Sequence, residues 1–281
     1  MPQLDFVPAD RYSIEQLSRL ITRVYTGYAV PIDVDATSLE SMIAAYDIQL
    51  AASRVGVQGG EPVAIALLGV RERRGWIGGM GVAPEVRGER AGLAVTRAVL
   101  GSARRMRLKS IDLEVLTENL PAIRIYESLG FRRRRILDVW LRDSSATFPM
   151  PPQHEVQPQD VDACLAAFDD LHVVAPPWQR DLPVLRRAAP SLHTLGTTDG
   201  GRLTSYLLYR MDGPRVTILD AAAAPRRRTQ AIEALLRALI RERAGNVVRF
   251  VNLPQDDPAS EAMHRVGAEV ERQQHEMTLD L

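Results

Sequence analysis

The chain states one pattern twice, and that repetition limits its fold more than any other feature. In the first pass Gly75 to Val82 reads as a strand, Pro84 opens a turn, and Arg87 to Met106 reads as a helix. Ile111 to Leu116 is a second strand, Pro121 to Leu129 a short helix closed by Gly130, and Phe131 to Leu141 a third strand. The second pass runs Val216 to Ala223, Pro225, Thr229 to Arg241, Val247 to Asn252, Pro258 to Val266 with Gly267, and His275 to Leu281. Setting Pro84 on Pro225 and Gly130 on Gly267 pairs Arg87 with Arg228 and Ala122 with Ala259. A period of this kind predicts two copies of one α/β unit, each built on a mixed sheet in the α+β manner. At roughly 150 residues per domain, 281 residues suit two. The boundaries expected are 1–147 and 153–281, with the linker in Ser144 to Val156, which holds three prolines and no periodicity.

Ahead of the first copy, Leu4 to Ala9 reads as a short strand. Ser13 is placed to cap a helix whose residues Ile14, Leu17, Leu20, Ile21 and Val24 share one face. Asp35 opens a second helix with Met42 and Ile43 turned inward. Gln49 to Val57 and Pro62 to Val70 read as a hairpin about Gly59 and Gly60. In the second half Leu203 to Tyr209 plays the same part before an Asp-Gly-Pro turn.

Charge narrows the function. Lys and Arg number 35 and so do Asp and Glu, so no global field favours nucleic acid or an anionic membrane. A single cysteine, Cys164, rules out an intrachain disulfide and fits a reducing cytoplasm. The first residues, MPQLDFVPADRYS, lack the basic and apolar regions of a signal peptide, and no apolar run reaches the ~18 residues of a membrane span. A cytoplasmic protein with no nucleic-acid or membrane partner is expected, and a homodimer is left open. The five histidines show no ligand spacing, so no metal is expected.

The segment from Gly75 to Leu100 carries the chemistry. A strand leaves through Val82 and Pro84 into a turn of Arg87, Gly88, Glu89, Arg90, Ala91 and Gly92, and a helix follows. Free amide groups and a partial positive charge at a helix N-terminus suit a pyrophosphate, and small residues let it approach. Further on come Asn119, Ala122, Tyr126, Gly130 and Phe131 in the pattern Asn-x-x-Ala-x-x-x-Tyr-x-x-x-Gly-Phe. These two motifs, in this order, resemble those of the GNAT acetyltransferase superfamily, with Arg90 where the first signature glycine stands. The resemblance covers the first ~145 residues by that motif reading.

The resemblance implies tandem GNAT-like acyl-CoA N-acyltransferase domains and acetyl-CoA as co-substrate. Contacts to it would come from Met80, Gly81 and Val82, from Arg87, Gly88, Glu89, Arg90, Ala91, Gly92 and Leu93, and from Asn119 and Tyr126. It casts Tyr126 as the general acid. Glu114, an acid inside an apolar strand, takes the position of the general base used by the family's ribosomal-protein N-terminal acetyltransferases. Burial would raise its pKa toward neutrality. Glu114 pointing to solvent or paired with an arginine is the other reading of that residue. Tyr25, Tyr28 and Pro31, with Trp76, Gly78, Gly79 and Met80, are candidates for an acceptor pocket, and core packing is the alternative for Trp76.

In the second copy Gly88 and Gly92 find no glycine partners. Asn119 meets Asp256, Tyr126 meets Met263 and Phe131 meets Ala268. The second copy therefore reads as degenerate, and His172, Pro176, Pro177 and Trp178 could still shape an acceptor cleft. The expected function is transfer of an acetyl group from acetyl-CoA to a primary amine acceptor, a small molecule or a protein N-terminus. The alternative is a non-catalytic acyl-CoA-binding or sensing module.

Overall fold

The computed structural model describes residues 4–28, 33–88, 90–144 and 156–281. Pro31, Glu89 and residues 145–155 of the expected linker lie outside them. The chain forms two compact units. Unit 1 is Met1–Arg134 together with His275–Leu281, and unit 2 is Arg135–Gln274. The units therefore do not follow chain order as the expected ranges did: the last residues of the chain return to unit 1.

Unit 1 begins with β1 (Asp5–Pro8), α1 (Ile14–Val24) and α2 (Ala36–Tyr46). Ser13 caps α1 in a capping box: its Oγ accepts from the Gln16 amide, and Gln16 Oε1 accepts from the Ser13 amide. Such a cap contributes about 1 kcal/mol. Asp35 caps α2 through the Ser38 amide. Then come β2 (Arg54–Gln58), β3 (Glu61–Arg71), β4 (Arg74–Val82), α3 (Ala91–Arg105), β5 (Ser110–Leu116), α4 (Leu120–Ser128) and β6 (Arg132–Arg142). β2 starts later than expected because residues 49–53 make a turn, closed by bonds from the Ala52 amide and the Ser53 hydroxyl to Gln49 O.

Unit 2 holds most of β6, then α5 (Val161–Ala166), α6 (Phe168–Leu171), α7 (Leu182–Ala188), β7 (His193–Asp199), β8 (Arg202–Asp212), β9 (Arg215–Ala223), α8 (Arg228–Glu242), β10 (Val247–Pro254), α9 (Pro258–Arg265) and β11 (Glu269–Asp280). β7 and the helices before it carry no repeat signal in the sequence. β11 begins well before His275, and its end lies in unit 1 beside β5.

In unit 1 the strand order is β1-β2-β3-β4-β5-β11, and in unit 2 β6-β10-β9-β8-β7. The pairs β1–β2, β2–β3, β3–β4, β6–β10, β8–β9 and β7–β8 are antiparallel, and β4–β5 and β9–β10 are parallel. α3 and α4 pack on one face of the unit 1 sheet through Val95, Val99, Leu100, Ile123 and Tyr126, and α1 and α2 cover the other. In unit 2, α8 and α9 pack on one face, and α5 to α7 on the other. α4 and α9 end alike. Gly130 at φ 95° and Gly267 at φ 77° take the left-handed conformation that stops a helix. The next amides, of Phe131 and Ala268, donate back to Tyr126 O and Met263 O.

Candidate active site

In each unit the parallel strand pair comes apart. β4 and β5 pair from Arg74 and Ser110 to Ile77 and Leu113, after which β4 runs on to Val82 and β5 to Leu116. The register of β4 against β3 slips between Ile77 and Gly79, leaving Gly78 as an extra residue. A bulge bends and twists its strand, and here it coincides with the end of pairing to β5. Gly78 is required by its neighbour: a Cβ there would lie 2.0 Å from Cζ3 of Trp76.

The turn after β4 is shaped by backbone, not by a longer helix. Pro84–Val86 form a single 3-10 turn, and Gly88 at φ 84° and Arg90 at φ 60° are left-handed. These conformations cannot belong to a right-handed helix, so α3 starts at Ala91 and not at Arg87. Arg90 is exposed and adopts the conformation that a glycine takes without cost. The N-cap residue Arg90 makes no side-chain cap bond, and among the described residues no side chain caps the first amides of α3. Ala91 is buried, Gly92 and Leu93 follow it in the first turn, and Gly92 looks toward Ile125 of α4 and Val82. A flexible anionic diphosphate fits such a start chemically.

Arg87, although exposed, folds its guanidinium back on the backbone. Its guanidinium donates to Val82 O at 3.1 Å, Val24 O at 3.0 Å and Thr26 O at 2.7 Å. It ties the end of α1, and the turn carrying Tyr25 and Tyr28, to the exit of β4. In unit 2 Arg228 makes the matching bond to Ala223 O at 3.0 Å.

Three tyrosines meet beside the parted strands. Tyr25 and Tyr28 are edge to face at 5.3 Å, and the Tyr25 hydroxyl lies against the backbone of Gly79 and Met80. Asn119 caps α4 by accepting from the Ala122 amide at 3.2 Å, and its Nδ2 donates to the Tyr28 hydroxyl at 3.4 Å. Tyr126 is buried in the face of α4 and packs edge to face on Phe131 at 5.7 Å. Burial pushes the Tyr126 hydroxyl well above the usual phenol range, and Tyr25 and Tyr28 add to the shift. Burial, then Tyr28, pushes Tyr25 up to about 12, against the Met80 backbone. Burial also raises Tyr28, opposed by Asn119 and helped by Glu118. All three phenols are thus neutral proton donors near pH 7.

Glu114 follows the last β5 residue paired with β4. Its Oε2 accepts from Trp76 Nε1 at 2.8 Å, and Tyr46 of α2 stands edge to face on the Trp76 ring at 5.5 Å. The structure thus brings Tyr126, Asn119, Tyr25, Tyr28 and Met80 together, and sets Glu114 with Trp76 and Tyr46 at the same parting of strands.

Unit 2 fills the corresponding gap. β9 and β10 pair up to Ile218 and Phe250, and Leu219 is the bulged residue in the place of Gly78. Arg180 enters here, donating from Nε to Leu219 O at 3.0 Å and from Nη1 to Asn252 O at 3.3 Å, with its guanidinium 4.5 Å over Phe250. Nη2 pairs with Asp220 Oδ1 at 2.8 Å, which also meets His172 Nε2 at 3.2 Å, while the Tyr206 hydroxyl donates to Oδ2 at 2.8 Å. The turn into α8 is also shorter: residues 226–227 stand between Pro225 and the helix, against 85–90 between Pro84 and α3. This network was missed in the sequence, because its members come from the end of α6, the loop to α7, β8 and β9 and share no local spacing. Trp178 is buried, and His172 serves this network.

The sequence profile of the acetyltransferase (GNAT) family matches residues 25–131. No curated protein matches the sequence significantly. Among solved structures, a GCN5-related N-acetyltransferase from Sphaerobacter thermophilus is 18% identical, with a TM-score of 0.72 over 99% of this chain and 95% of that one. A tandem GNAT protein from the clavulanic acid biosynthesis pathway is 16% identical, with a TM-score of 0.69 over 99% of this chain and 98% of that one. A GCN5-related N-acetyltransferase from Anabaena variabilis is 14% identical, with a TM-score of 0.67 over 98% of this chain and 72% of that one. At these identities the likeness is one of fold, and it extends over both units.

Proposed function

We propose that the chain is an acetyltransferase of the GNAT family, whose sequence profile matches residues 25–131, and that unit 1 transfers the acetyl group of acetyl-CoA to a primary amine. The observation that carries the reading is the parting of β4 from β5 beside a glycine-containing turn, with Tyr126 and Asn119 at its edge. The family implies acyl transfer from acyl-CoA; the acceptor and the residue roles are our assignment.

In this reading the diphosphate rests on the amides at the start of α3, and the pantetheine arm lies in the gap beside Met80, Gly81 and Val82. The neutral amine attacks the thioester carbonyl carbon. A C–N bond forms, the C–S bond breaks, and the electron pair leaves on sulfur. Glu114, directly or through a water, takes the proton that the amine sheds, and the Tyr126 hydroxyl delivers a proton to the departing thiolate. Burial keeps Tyr126 protonated until that moment. Arg87 keeps Tyr25 and Tyr28 at the acceptor side by holding Val24 O and Thr26 O. Unit 2 binds no acetyl-CoA in this account, because Arg180 takes the place of the ligand and the turn is short and lacks glycine.

The test is release of free coenzyme A from acetyl-CoA by the full chain across a panel of primary amines, small molecules and peptide N-termini. Amine-dependent release is expected. Acetyl-CoA binding with no amine-dependent release from any member would replace this reading with that of a non-catalytic acyl-CoA-binding module.

A further inference from the structure

We propose that Trp76 is a positioning residue for the transfer: its indole holds the Glu114 carboxylate at the point where β4 and β5 part. The inference rests on the reading of Glu114 as the base.

The contact is short, 2.8 Å from Nε1 to Oε2, and the donor is fixed. Trp76 is 2% exposed, Tyr46 braces the ring from α2, and the ring lies over Gly78 so closely that no side chain fits there. Bulge, glycine and indole therefore form one device: the bulge ends the pairing, the glycine admits the ring, and the ring reaches across to the acid on β5. An indole N–H only donates and does not ionise, so it orients a carboxylate without the full charge of an arginine. Among the described residues, the charged groups on the paired stretch of these strands include Asp112, two residues back on β5 and opposite Trp76, and Arg74 on β4, 3.9 Å from Asp112.

The second unit supplies an independent comparison. With Ile77 set on Ile218 and Leu113 on Phe250, the last parallel pairs, Trp76 corresponds to Thr217, Gly78 to Leu219 and Glu114 to Val251. All three members are replaced together in the unit whose gap is filled by Arg180.

The experiment uses the full chain with acetyl-CoA and the best amine found. Trp76→Phe keeps the ring against Tyr46 and removes the donor. It should lower kcat roughly tenfold or more, leave acetyl-CoA affinity near that of the wild type, and move the acidic limb of the pH–rate profile to higher pH, since a carboxylate that loses a hydrogen bond is harder to ionise. In the Glu114→Gln background the same change should cost no further rate. An acidic limb unmoved by Trp76→Phe in protein that melts and binds acetyl-CoA normally, while Glu114→Gln abolishes that limb, would overturn the inference alone. A limb untouched by Glu114→Gln would overturn the base itself. A measurement on the wild type covers the case in which Trp76→Phe does not fold: the assigned Trp76 indole N–H resonance should titrate with pH and cease to do so in Glu114→Gln. An indole resonance that is flat in both proteins would also overturn it.

Discussion

Asp220 and Arg180 pair at 2.8 Å in unit 2, and Asp220 occupies the place that Gly79 holds in unit 1. One strand position thus carries a buried charge in one unit and only backbone in the other. The Asp220 carboxylate is fully buried and bonded to Arg180, His172 and Tyr206. Removing one partner from such a pair strands the other charge. Asp220→Asn should therefore destabilise unit 2 by about 3–5 kcal/mol, read by denaturant unfolding of the full chain. A loss below about 1 kcal/mol, the scale of an exposed pair, would show that the network is not the buried one described.

The same network makes stability depend on pH. Burial opposes a charged His172, but Asp220, through charge and hydrogen bond, and the Phe168 carbonyl outweigh it and raise its pKa above 6.5. Its contribution is full below the unfolded value and is lost as pH rises through the higher folded value. Burial likewise opposes the Asp220 carboxylate, but His172, Arg180 and Tyr206 hold its pKa below 3.8. That contribution is present above 3.8 and is lost as pH falls through the lower folded value. The melting temperature of the wild type should fall as pH rises past the raised histidine pKa, and His172→Gln should flatten that slope. Parallel slopes in the two proteins would contradict the assignment.

For the chemistry, Tyr126→Phe should lower kcat by roughly ten- to ten-thousand-fold, the usual range for a general acid. Acetyl-CoA affinity should stay near wild type, because the α3 amides and the β4 edge are untouched. Steady-state kinetics decides it. A wild-type kcat with chemistry rate-limiting would assign the proton to another donor, and Tyr25 at the Met80 backbone would be next in line.

Arg87 leads to a different split. Its bonds run to Val24 O and Thr26 O, so Arg87→Ala should loosen the Tyr25–Tyr28 turn. Acceptor KM should rise about tenfold, a change on the scale of a lost charge-assisted hydrogen bond. The binding constant of acetyl-CoA should change much less. A loss confined to acetyl-CoA binding would mean that the guanidinium turns to the diphosphate when the ligand arrives.

What the sequence disclosed follows from the range of the interactions. Ser13 as the cap of α1 and Gly130 as the stop of α4 act within one helical turn, so they were legible, whereas Asn119, which caps α4, was read through a motif as a contact to the co-substrate. The turn from Pro84 to Gly92 was legible for the same reason, although the left-handed Arg90 set the start of α3 later than periodicity alone suggested. Trp76 and Glu114 are 38 residues apart, and the aspartate at 220 meets partners at 172, 180 and 206. No local period encodes such meetings, since they depend on which strands become neighbours. The return of residues 275–281 to unit 1 is of the same kind. The repeat announced a final strand but not the sheet position it would take.

The central claim is that one gap between strands serves acetyl-CoA and its counterpart is closed. Titration calorimetry of the full chain with acetyl-CoA tests it most directly, on the wild type and on Gly92→Glu, with thermal melting as the control for folding. Among the described residues the nearest atoms to a Gly92 Cβ are side-chain atoms of Ile125 at 3.1 Å and Val82 at 3.8 Å, so an acidic side chain there adds bulk and negative charge at the start of α3 while these neighbours can give way. The account predicts one site per chain in the wild type and none in folded Gly92→Glu. Two equivalent sites in the wild type, or binding that survives in Gly92→Glu, would contradict it.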